Sequence, residues 1–294
     1  MSGIFDKNGN ALNAVYDKSG SELMQAYDAN GDVCYTKTGI PLRVMEYNAG
    51  QWYIGTTSNV PSDKDSDYYA LQNGMISNAD ADILIICEYR DQFSKSGRTA
   101  ESILSQHFPY RVNYGGGGAY MGRAICSKYP ITNFTQHLYT NRPSSSNNYY
   151  DSCTITVSGI PVTVIVTHLS TADIRHDEIE ELIDYLETLD RFICAGDFNT
   201  LYARNTDGSD YQPMIVPLIN AGFNLSNCDD FGFFDTYYDS DGDTITWRGC
   251  LDNIVTSSNI EISDVAVDDT KLSDSIVEKI DHIPLIADLL MQVQ

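Results

Sequence analysis

Residues 191–200 read Arg-Phe-Ile-Cys-Ala-Gly-Asp-Phe-Asn-Thr, an apolar run that stops at a glycine and is followed by a carboxylate and a carboxamide. Because side chains alternate along a strand, Asp197 and Asn199 are expected on the same face at a strand end. The glycine lets the backbone turn sharply there. The pair offers an anion for a metal or a proton and a neutral donor for a phosphoryl oxygen. Asp-x-Asn is also common in plain turns, so other residues must decide between these interpretations.

The size and composition of the chain indicate one main globular domain. Its 294 residues are enough to bury a large core. The seven cysteines are an odd number without a CxxC pair, which disfavours a zinc site or a disulfide framework. Acidic residues occur where a signal peptide requires an apolar stretch, and no run approaches transmembrane length. We therefore expect a soluble protein without a membrane partner, although the sequence does not fix its compartment.

Charge is unevenly distributed along the chain. The net charge of −23 argues against indiscriminate binding to polyanions. Residues 90–142 nevertheless carry seven basic side chains against two acidic ones, a balance of +5. Residues 224–281 carry fourteen acidic side chains against three basic ones, a balance of −11. The first of these segments can face phosphates, whereas the second cannot.

The N-terminal residues contain a repeat of 11 residues. Phe5, Tyr16 and Tyr27 are each followed by Asp-x-x-Gly, a pattern typical of short strands closed by glycine turns. It predicts a β-meander over residues 5–35, and a weakly structured leader is the alternative. The repeat faintly resembles repeats at the ends of bacteriophage structural proteins. Residues 1–40 are therefore predicted to be an attachment or assembly segment that docks to a larger assembly, so a particle-associated location stands beside a cytoplasmic one.

From Pro41 onward, predicted strands alternate with predicted helices, which indicates an α/β domain over residues 41–294. The predicted strands cover residues 42–48, 82–88, 124–127, 153–157, 162–168 and 283–289, with two more inside 244–256. The predicted helices cover residues 67–79, 99–107 (capped by Thr99), 174–189 (capped near Thr171 or Asp173) and 214–221. Residues 239–243 are read as a hairpin tip, and the glycine-rich run 114–120 as a loop that either lies against a polyanion or is an ordinary surface loop.

Polar side chains recur at or near the ends of these strands, in the order Asn48, Glu88, His168, Asp197, Asn199, Asp252, Asp281 and His282. With their neighbours they form the motifs Glu46-Tyr47-Asn48, Ile86-Cys87-Glu88, Arg123 to Ile131, Thr167-His168-Leu169, Gly196 to Asn199, Leu251 to Val255 and Asp281 to Leu285. This series, over about residues 41–291, resembles the endonuclease/exonuclease/phosphatase superfamily, which has the deoxyribonuclease I-like fold. The resemblance implies a four-layered α/β/β/α sandwich of two mixed sheets with an active site at one rim.

The resemblance also implies a metal site. Glu88 would be the principal ligand of Mg²⁺, with Asn48 and Asp281 completing or backing its shell, because hard cations prefer carboxylate oxygen. Mn²⁺ and Ca²⁺ are alternatives. Ile280 stands where the family commonly has a serine, and we expect this change to have a modest effect.

Catalytic roles follow from the same resemblance. His282, oriented by Asp252, would be the general base or proton relay for an attacking water. Asn199 and His168 would hold the non-bridging phosphoryl oxygens, and Asp197 would position water or assist the leaving oxygen. The reaction would be in-line hydrolysis of a phosphoester without a covalent intermediate. Some family members pair the first histidine with a mid-chain acid, but residues 102–150 contain none, so His168 has no assigned partner.

The leading interpretation is a Mg²⁺-dependent phosphodiesterase acting on nucleic acid, specifically a DNA endonuclease. The basic, tyrosine-rich segment 90–142 follows the Glu88 strand end and can border the site. It supplies the predicted substrate-binding residues Arg90, Arg111, Tyr120 and Arg123. The alternatives are a phosphatase or phosphodiesterase of the same fold acting on a small or lipid phosphate, and a non-catalytic structural component whose working part is the repeat.

Overall fold

The structure is a computed structural model that describes residues 25–27, 33–36, 39–50, 65–90, 99–114, 122–140, 149–171, 174–204, 210–211, 216–228, 231–241, 244–270 and 282–293. Most of the predicted leader repeat, most of the glycine-rich loop, Tyr120 and Asp281 lie outside the described residues.

The first half of the chain contains the strands β1 (Gln25–Tyr27), β2 (Val33–Thr36), β3 (Gly39–Asn48), β4 (Ile83–Tyr89), β5 (Tyr110–Tyr114), β6 (Gly122–Ser127), β7 (Ile131–Leu138) and β8 (Tyr149–Val157). The second half contains β9 (Ile160–His168), β10 (Phe192–Arg204), β11 (Asp210–Tyr211), β12 (Asn224–Leu225), β13 (Tyr237–Asp241), β14 (Thr244–Thr256), β15 (Ile260–Val267) and β16 (Leu285–Gln292). The described helices are α1 (Asp65–Ala79), α2 (Glu101–His107), α3 (Arg175–Glu187) and α4 (Val216–Asn220).

Two mixed sheets form the centre of the molecule. One has six strands in the order β15-β16-β3-β4-β6-β5, and it is antiparallel except for the β3–β4 pair. The other has eight strands along the path β12-β14-β10-β9-β8-β7, with β11 beside β10 and β13 beside β14. Its β9–β10 pair is parallel. Strands β1 and β2 form a separate hairpin.

The sheets stack face to face through an inter-sheet layer of fully buried aliphatic side chains. The six-stranded sheet contributes Val44 and Ile85, and the eight-stranded sheet contributes Val164, Ile193 and Ile254. The opposite faces are covered by helices, α1 and α2 on the six-stranded sheet and α3 and α4 on the eight-stranded sheet. The predicted four-layered α/β/β/α sandwich is therefore confirmed.

Local sequence explains where several elements turn or end. The β8–β9 hairpin closes with a two-residue turn, in which Ser158 and Gly159 both have positive φ (50° and 82°). This turn matches the right-handed twist of the strands. Pro41 lies inside β3, which begins at Gly39, before the predicted residue 42. The proline is tolerated because β3 pairs with β4 only from Val44 onward, so its missing N–H lies at an edge.

Two details of the predicted elements were wrong. Residues 244–256 form one strand, β14, and not two, because β13 pairs with its first half and β10 with its second. Helix α3 begins at Arg175 with Ile174 as its N-cap residue, so Thr171 lies too far upstream to cap it, and the alternative cap Asp173 lies outside the described residues. The hairpin at residues 239–243 is confirmed by the pairing of Asp241 with Thr244. Thr99 accepts a hydrogen bond from Ser102 N (3.2 Å) at the start of α2, as predicted. None of the described helices is long and apolar enough to cross a membrane.

Candidate active site

The inter-sheet layer changes from apolar to polar toward one end of the sandwich. On β3, the inward-facing residues are Val44, then Glu46, then Asn48. On β10 they are Ala195 and then Asp197. The same change occurs where Val166 is followed by His168 on β9 and where Ile254 is preceded by Asp252 on β14. We call the polar group at this end the rim cluster: Asn48, Glu88, His168, Asp197, Asn199, Asp252 and His282.

Gly196 is required because two strands approach closely at this point. Its φ is +151°, and a Cβ built on it would lie 1.8 Å from the carbonyl oxygen of Thr167 on β9. No side chain fits there. The parallel register places Asp197 opposite His168, and the antiparallel register on the other side places it opposite Asp252. One glycine therefore allows three strands to deliver three ionisable groups to the same level.

Two rim residues have backbone conformations that ordinary side chains rarely adopt. Glu88 has φ +49° and Asn199 has φ +48°. Both lie where strand pairing shifts register, between Ile86 and Tyr89 in β4 and between Asp197 and Tyr202 in β10. Such irregularities redirect side chains, and positive φ at non-glycine residues is concentrated at functional sites. Simple alternation would place Glu88 on the helix-covered face, whereas its Oε1 lies 3.4 Å from Asn48 Nδ2.

Asp197 is the centre of the rim cluster. Its Oδ2 accepts a hydrogen bond from Asn48 Nδ2 (3.0 Å) and lies 3.5 Å from His168 Nε2 and 3.6 Å from His282 Nε2. Its Oδ1 accepts a hydrogen bond from the backbone N–H of Asn199 (2.8 Å). One carboxylate thus connects groups from both sheets.

His282 and Asp252 form a tight pair. His282 Nδ1 lies 2.7 Å from Asp252 Oδ2, and both side chains are buried. Asp252 is fixed in turn, because its N–H donates to Thr236 Oγ1 (3.1 Å). The ring of Tyr237 packs edge-on against the imidazole at 5.1 Å between centroids. With Nδ1–H directed at the carboxylate, Nε2 carries the lone pair, as a proton acceptor requires.

Asn199 holds the segment that leads away from β9. Its Nδ2 donates to the carbonyl oxygen of Leu169 (2.7 Å), and its own carbonyl oxygen accepts from Arg175 at the start of α3. Leu169 N donates to Asp197 O (2.9 Å). These bonds keep the backbone that follows His168 against β10. The sequence did not predict this contribution of Arg175.

Burial shifts the pKa values of Asp197 and His168 in the rim cluster. Burial raises the pKa of Asp197 to about 7, and the negative charge of Asp252 adds to this while His282 opposes it. Burial lowers the pKa of His168 to about 3, and the positive charges of Arg123 and His282 contribute. His168 is therefore neutral at neutral pH, whereas Asp197 can gain or lose a proton there.

Glu46 belongs to one of the sequence motifs, but sequence reasoning gave its side chain no role. It is fully buried on the inward face of β3, and neither of its carboxyl oxygens has a hydrogen-bond partner among the described residues. Burial raises its pKa well above the usual range, and the charges of Asp252 and Asp197 raise it further. Burial therefore favours the neutral form of this carboxyl. The signal was its position two residues before Asn48, which puts it on the same face of a strand.

The comparisons with known proteins agree with this geometry. A sequence model of the Endonuclease/Exonuclease/phosphatase family matches residues 57–274. The chain belongs to this family. The predicted resemblance is thereby confirmed. Members of the family are phosphoric ester hydrolases and generally depend on a divalent metal. No curated protein matches the sequence.

Solved structures of similar fold share little sequence with this family member. An endonuclease/exonuclease/phosphatase family protein from Bacteroides thetaiotaomicron has a TM-score of 0.63 at 16% identity, covering 87% of this chain and 99% of its own. ANGEL2, a 2',3'-cyclic phosphatase, has a TM-score of 0.62 at 14% identity, covering 87% and 97%. A 3'-5' exonuclease from Neisseria meningitidis has a TM-score of 0.59 at 18% identity, covering 84% and 98%. At these identities the likeness shows the fold alone.

The donor atoms of the rim fit a hard divalent cation. Asp197, Asp252 and His282 can each direct one ligand atom to a common point, since these atoms lie within 4.8 Å of one another. Asp252 Oδ1 is buried without a hydrogen-bond partner in the described part of the chain. Glu88 adds carboxylate oxygens nearby. Asn48 turns its amide nitrogen to the cluster while its oxygen accepts from Gly50 N (3.0 Å), which supports a backing role for Asn48 and not direct ligation.

The predicted substrate-binding residues that the structure describes do not share one open surface at the rim. Arg90 follows β4 directly, two residues after Glu88, and is half-buried. The guanidinium of Arg111 pairs with Glu101 on α2, on the helix-covered face of the sheet, so its position gives no support to substrate binding. Arg123 is 2% exposed and points into the inter-sheet layer. The basic residues among these side chains that the structure describes therefore form no open phosphate-binding track.

Proposed function

We propose that this family member is a Mg²⁺-dependent phosphodiesterase that hydrolyses nucleic acid, and specifically a DNA endonuclease. The observation that carries the proposal is the buried line from Asp252 through His282 to Asp197. It places an oriented imidazole beside a carboxylate whose pKa lies near neutrality. A structural protein has no need for such a group of buried ionisable side chains.

His282 is the proposed base. Asp252 accepts the Nδ1 proton and stabilises the imidazolium that forms when Nε2 takes a proton from the attacking water. The water oxygen then forms the new bond to phosphorus as the bond to the leaving oxygen breaks. No covalent intermediate is needed, because the activated water itself forms the bond to phosphorus.

Asp197 is the proposed proton donor to the leaving oxygen. With a pKa of about 7, a substantial fraction of its carboxyl groups carries the required proton at neutral pH. His168, held neutral, donates a hydrogen bond to a non-bridging phosphoryl oxygen without adding a charge. Asn199 holds the adjoining backbone in place. A divalent ion held by Glu88 would supply charge stabilisation of the phosphoryl group.

The choice of nucleic acid rests on one segment. Residues 90–142 have a positive balance in a chain of net charge −23, and Arg90 follows the strand end that carries Glu88. The fold likeness to a 3'-5' exonuclease agrees with a nucleic-acid substrate but does not select one. We place Arg90 at the border of the site as a phosphate contact outside the scissile group.

A specific observation favours a second candidate, a phosphatase acting on a small phosphoester. Arg111 is engaged by Glu101 and Arg123 is enclosed between the sheets. A compact substrate needs no extended phosphate track, and ANGEL2, which has the same fold, is a 2',3'-cyclic phosphatase. A lipid version has no further support.

A substrate panel tests both candidates. Duplex DNA, single-stranded DNA, RNA, 2',3'-cyclic nucleotide and phosphomonoesters are incubated with Mg²⁺ and with chelator. We expect plasmid nicking that requires Mg²⁺, is lost in His282→Ala, and is retained in the matched control His107→Ala. His107 contacts Asn73 at the helix layer, away from the rim. Arg90→Ala should raise the KM for DNA and reduce its salt dependence, but should leave small phosphoesters unaffected.

The outcomes separate the candidates. Hydrolysis of a small phosphoester by wild type without DNA cleavage at low salt selects the phosphatase. Undiminished DNA cleavage by His282→Ala refutes the proposed base.

A further inference from the structure

The inter-sheet layer contains one positive and one negative side chain that the proposed chemistry does not use. Arg123 comes from β6 of the six-stranded sheet, and Asp151 comes from β8 of the eight-stranded sheet. Their neighbours on the same faces are Ile125 and Cys153, which belong to the apolar core. Both charged side chains are almost completely buried, at 2% and 0% exposure. A charge in such surroundings is costly unless it has a partner.

Each of the two side chains has buried polar atoms for which the described residues provide no hydrogen-bond partner. Nε and Nη1 of Arg123 have no hydrogen-bond acceptor within the described ranges, and the same ranges give neither carboxylate oxygen of Asp151 a well-formed hydrogen bond. An arginine offers only donors and a carboxylate only acceptors. Burial raises the pKa of Asp151 to about 7, while Arg123 and, more weakly, the side chain of Gln136 oppose that rise. The charge of Arg123 thus acts on Asp151 across the layer.

Arg123 also contacts the rim cluster directly. Its Nη2 donates to the carbonyl oxygen of His168 (3.2 Å), and its guanidinium carbon lies 3.8 Å from the centre of the Tyr149 ring. Both of these partners belong to the eight-stranded sheet. The backbone one residue later is fixed from the other side, where the carbonyl of Leu169 accepts from Asn199. The end of β9 is therefore held by one side chain from each sheet.

We propose that the role of Arg123, enclosed between the two sheets, is to position His168. Its guanidinium holds the His168 carbonyl, so the imidazole keeps its approach to Asp197. Arg123 is then a positioning residue and not a direct contact to substrate phosphate. The catalytic consequence rests on the proposed function of His168, whereas the structural consequence does not.

Three variants separate positioning from stability. Arg123→Met removes the charge that opposes the rise in the pKa of Asp151, so it should lower stability most above pH 7, where that buried carboxyl is ionised. The double variant Arg123→Met with Asp151→Leu replaces both charges by apolar side chains, which should restore stability. Arg123→Lys keeps the charge on a shorter side chain and serves as the conservative variant. Ile125→Val, on the same face of β6, is the matched control.

The readouts are the urea midpoint, the ¹⁵N signals of the His168 ring, and kcat with KM. We expect the double variant to unfold near the wild-type midpoint, to show displaced His168 signals, and to lose ~10–100-fold in kcat with KM changed much less. Arg123→Lys should retain the midpoint and recover part of kcat. Ile125→Val should leave the His168 signals unchanged.

The proposal is overturned if the double variant keeps wild-type His168 signals and kcat, because Arg123 is then structural only. It is also overturned if the double variant, with its fold intact, loses kcat while its His168 signals stay in their wild-type positions. Should wild type hydrolyse nothing, the proposed function fails, and the ring signals of the variants still decide whether Arg123 positions His168.

Discussion

The two sheets contribute different chemistry to the same site. The eight-stranded sheet supplies His168, Asp197, Asn199 and Asp252, to which we assign proton transfer and contacts to phosphoryl oxygens. The six-stranded sheet supplies Asn48 and Glu88, of which Glu88 is the proposed metal ligand, and His282 lies just before its strand β16. Neither sheet alone holds the whole rim cluster.

The contacts between the two sets cross from one sheet to the other. Asn48 reaches Asp197 at 3.0 Å, and His282 reaches Asp252 at 2.7 Å. The apolar inter-sheet layer therefore does more than stabilise the fold, because it sets the distances on which the proposed proton transfer depends. Substitutions at the contacts should change rate, and substitutions in the layer should change stability.

The largest effect is expected at the contact shared by both sheets. Asp197→Asn should reduce kcat by ~10³-fold, because the proton donor to the leaving group is lost. The free energy of unfolding of the variant should instead exceed that of wild type above neutral pH. The folded pKa of about 7 lies above the ordinary value of 3.8, so the stability this carboxyl contributes below pH ~4 is lost as pH rises through 7. The variant avoids that loss.

Kinetics and urea unfolding at pH 5 and pH 8 check this prediction. Asp184→Asn, at an exposed position on α3, is the control and should change neither quantity. A variant that is slow and also more sensitive to alkaline pH than wild type would contradict the assigned sign.

The next effect is expected at the second contact between the sheets. Asp252→Asn should reduce kcat by ~10²-fold, since the amide no longer stabilises a positive imidazole at His282. The decrease should be in kcat more than in KM. Asp264→Asn on β15, outside the rim cluster, should behave as wild type. Equal rates for Asp252→Asn and wild type would show that His282 acts without this carboxylate.

The polar strand ends could be predicted from sequence because they depend on local pattern. An apolar run of strand length that stops at a polar residue fixes both the strand and its end, as at Ile193 and Asp197. Asp197 lies on the predicted face, in line with Ile193 and Ala195, because strand alternation has a period of two. The order of such ends along the chain was sufficient to identify the family.

The remaining geometry depends on contacts between distant residues. Alternation gives the wrong face for Glu88, because a register shift against β6 and a positive φ redirect it. Arg123 was expected to face substrate as a basic residue beside a glycine-rich loop, but β6 pairs so that it faces inward. Pairing partners are set by tertiary packing, and no local pattern encodes them.

A smaller effect is expected at Glu46, which lies beneath the rim between the two sets of groups. Its folded pKa is raised, so the stability it contributes below its unfolded pKa is lost as pH rises toward the folded value. The slope is about 1.4 kcal/mol for each pH unit over which only the folded chain keeps this proton. Glu46→Gln should therefore flatten the decline in unfolding free energy between pH 5 and pH 8.

Urea titrations across that range measure the slope. Glu261→Gln, an exposed carboxyl on β15, should leave the slope at its wild-type value. An unchanged slope in Glu46→Gln would mean that Glu46 carries its charge in the folded protein.

The smallest effect is expected in the apolar layer, where a substitution in either sheet should lower stability by the same amount. Ile85 on β4 and Ile193 on β10 are both fully buried in the inter-sheet layer. Truncation of either to valine should cost about 1 kcal/mol. Since each side chain packs against the opposite sheet, both variants should shift one common urea transition by similar amounts and leave kcat unchanged. Circular dichroism and amide exchange should report the same midpoint. Separate transitions, each sensitive to only one of the two variants, would mean that the sheets unfold independently and that the layer does not fix the site.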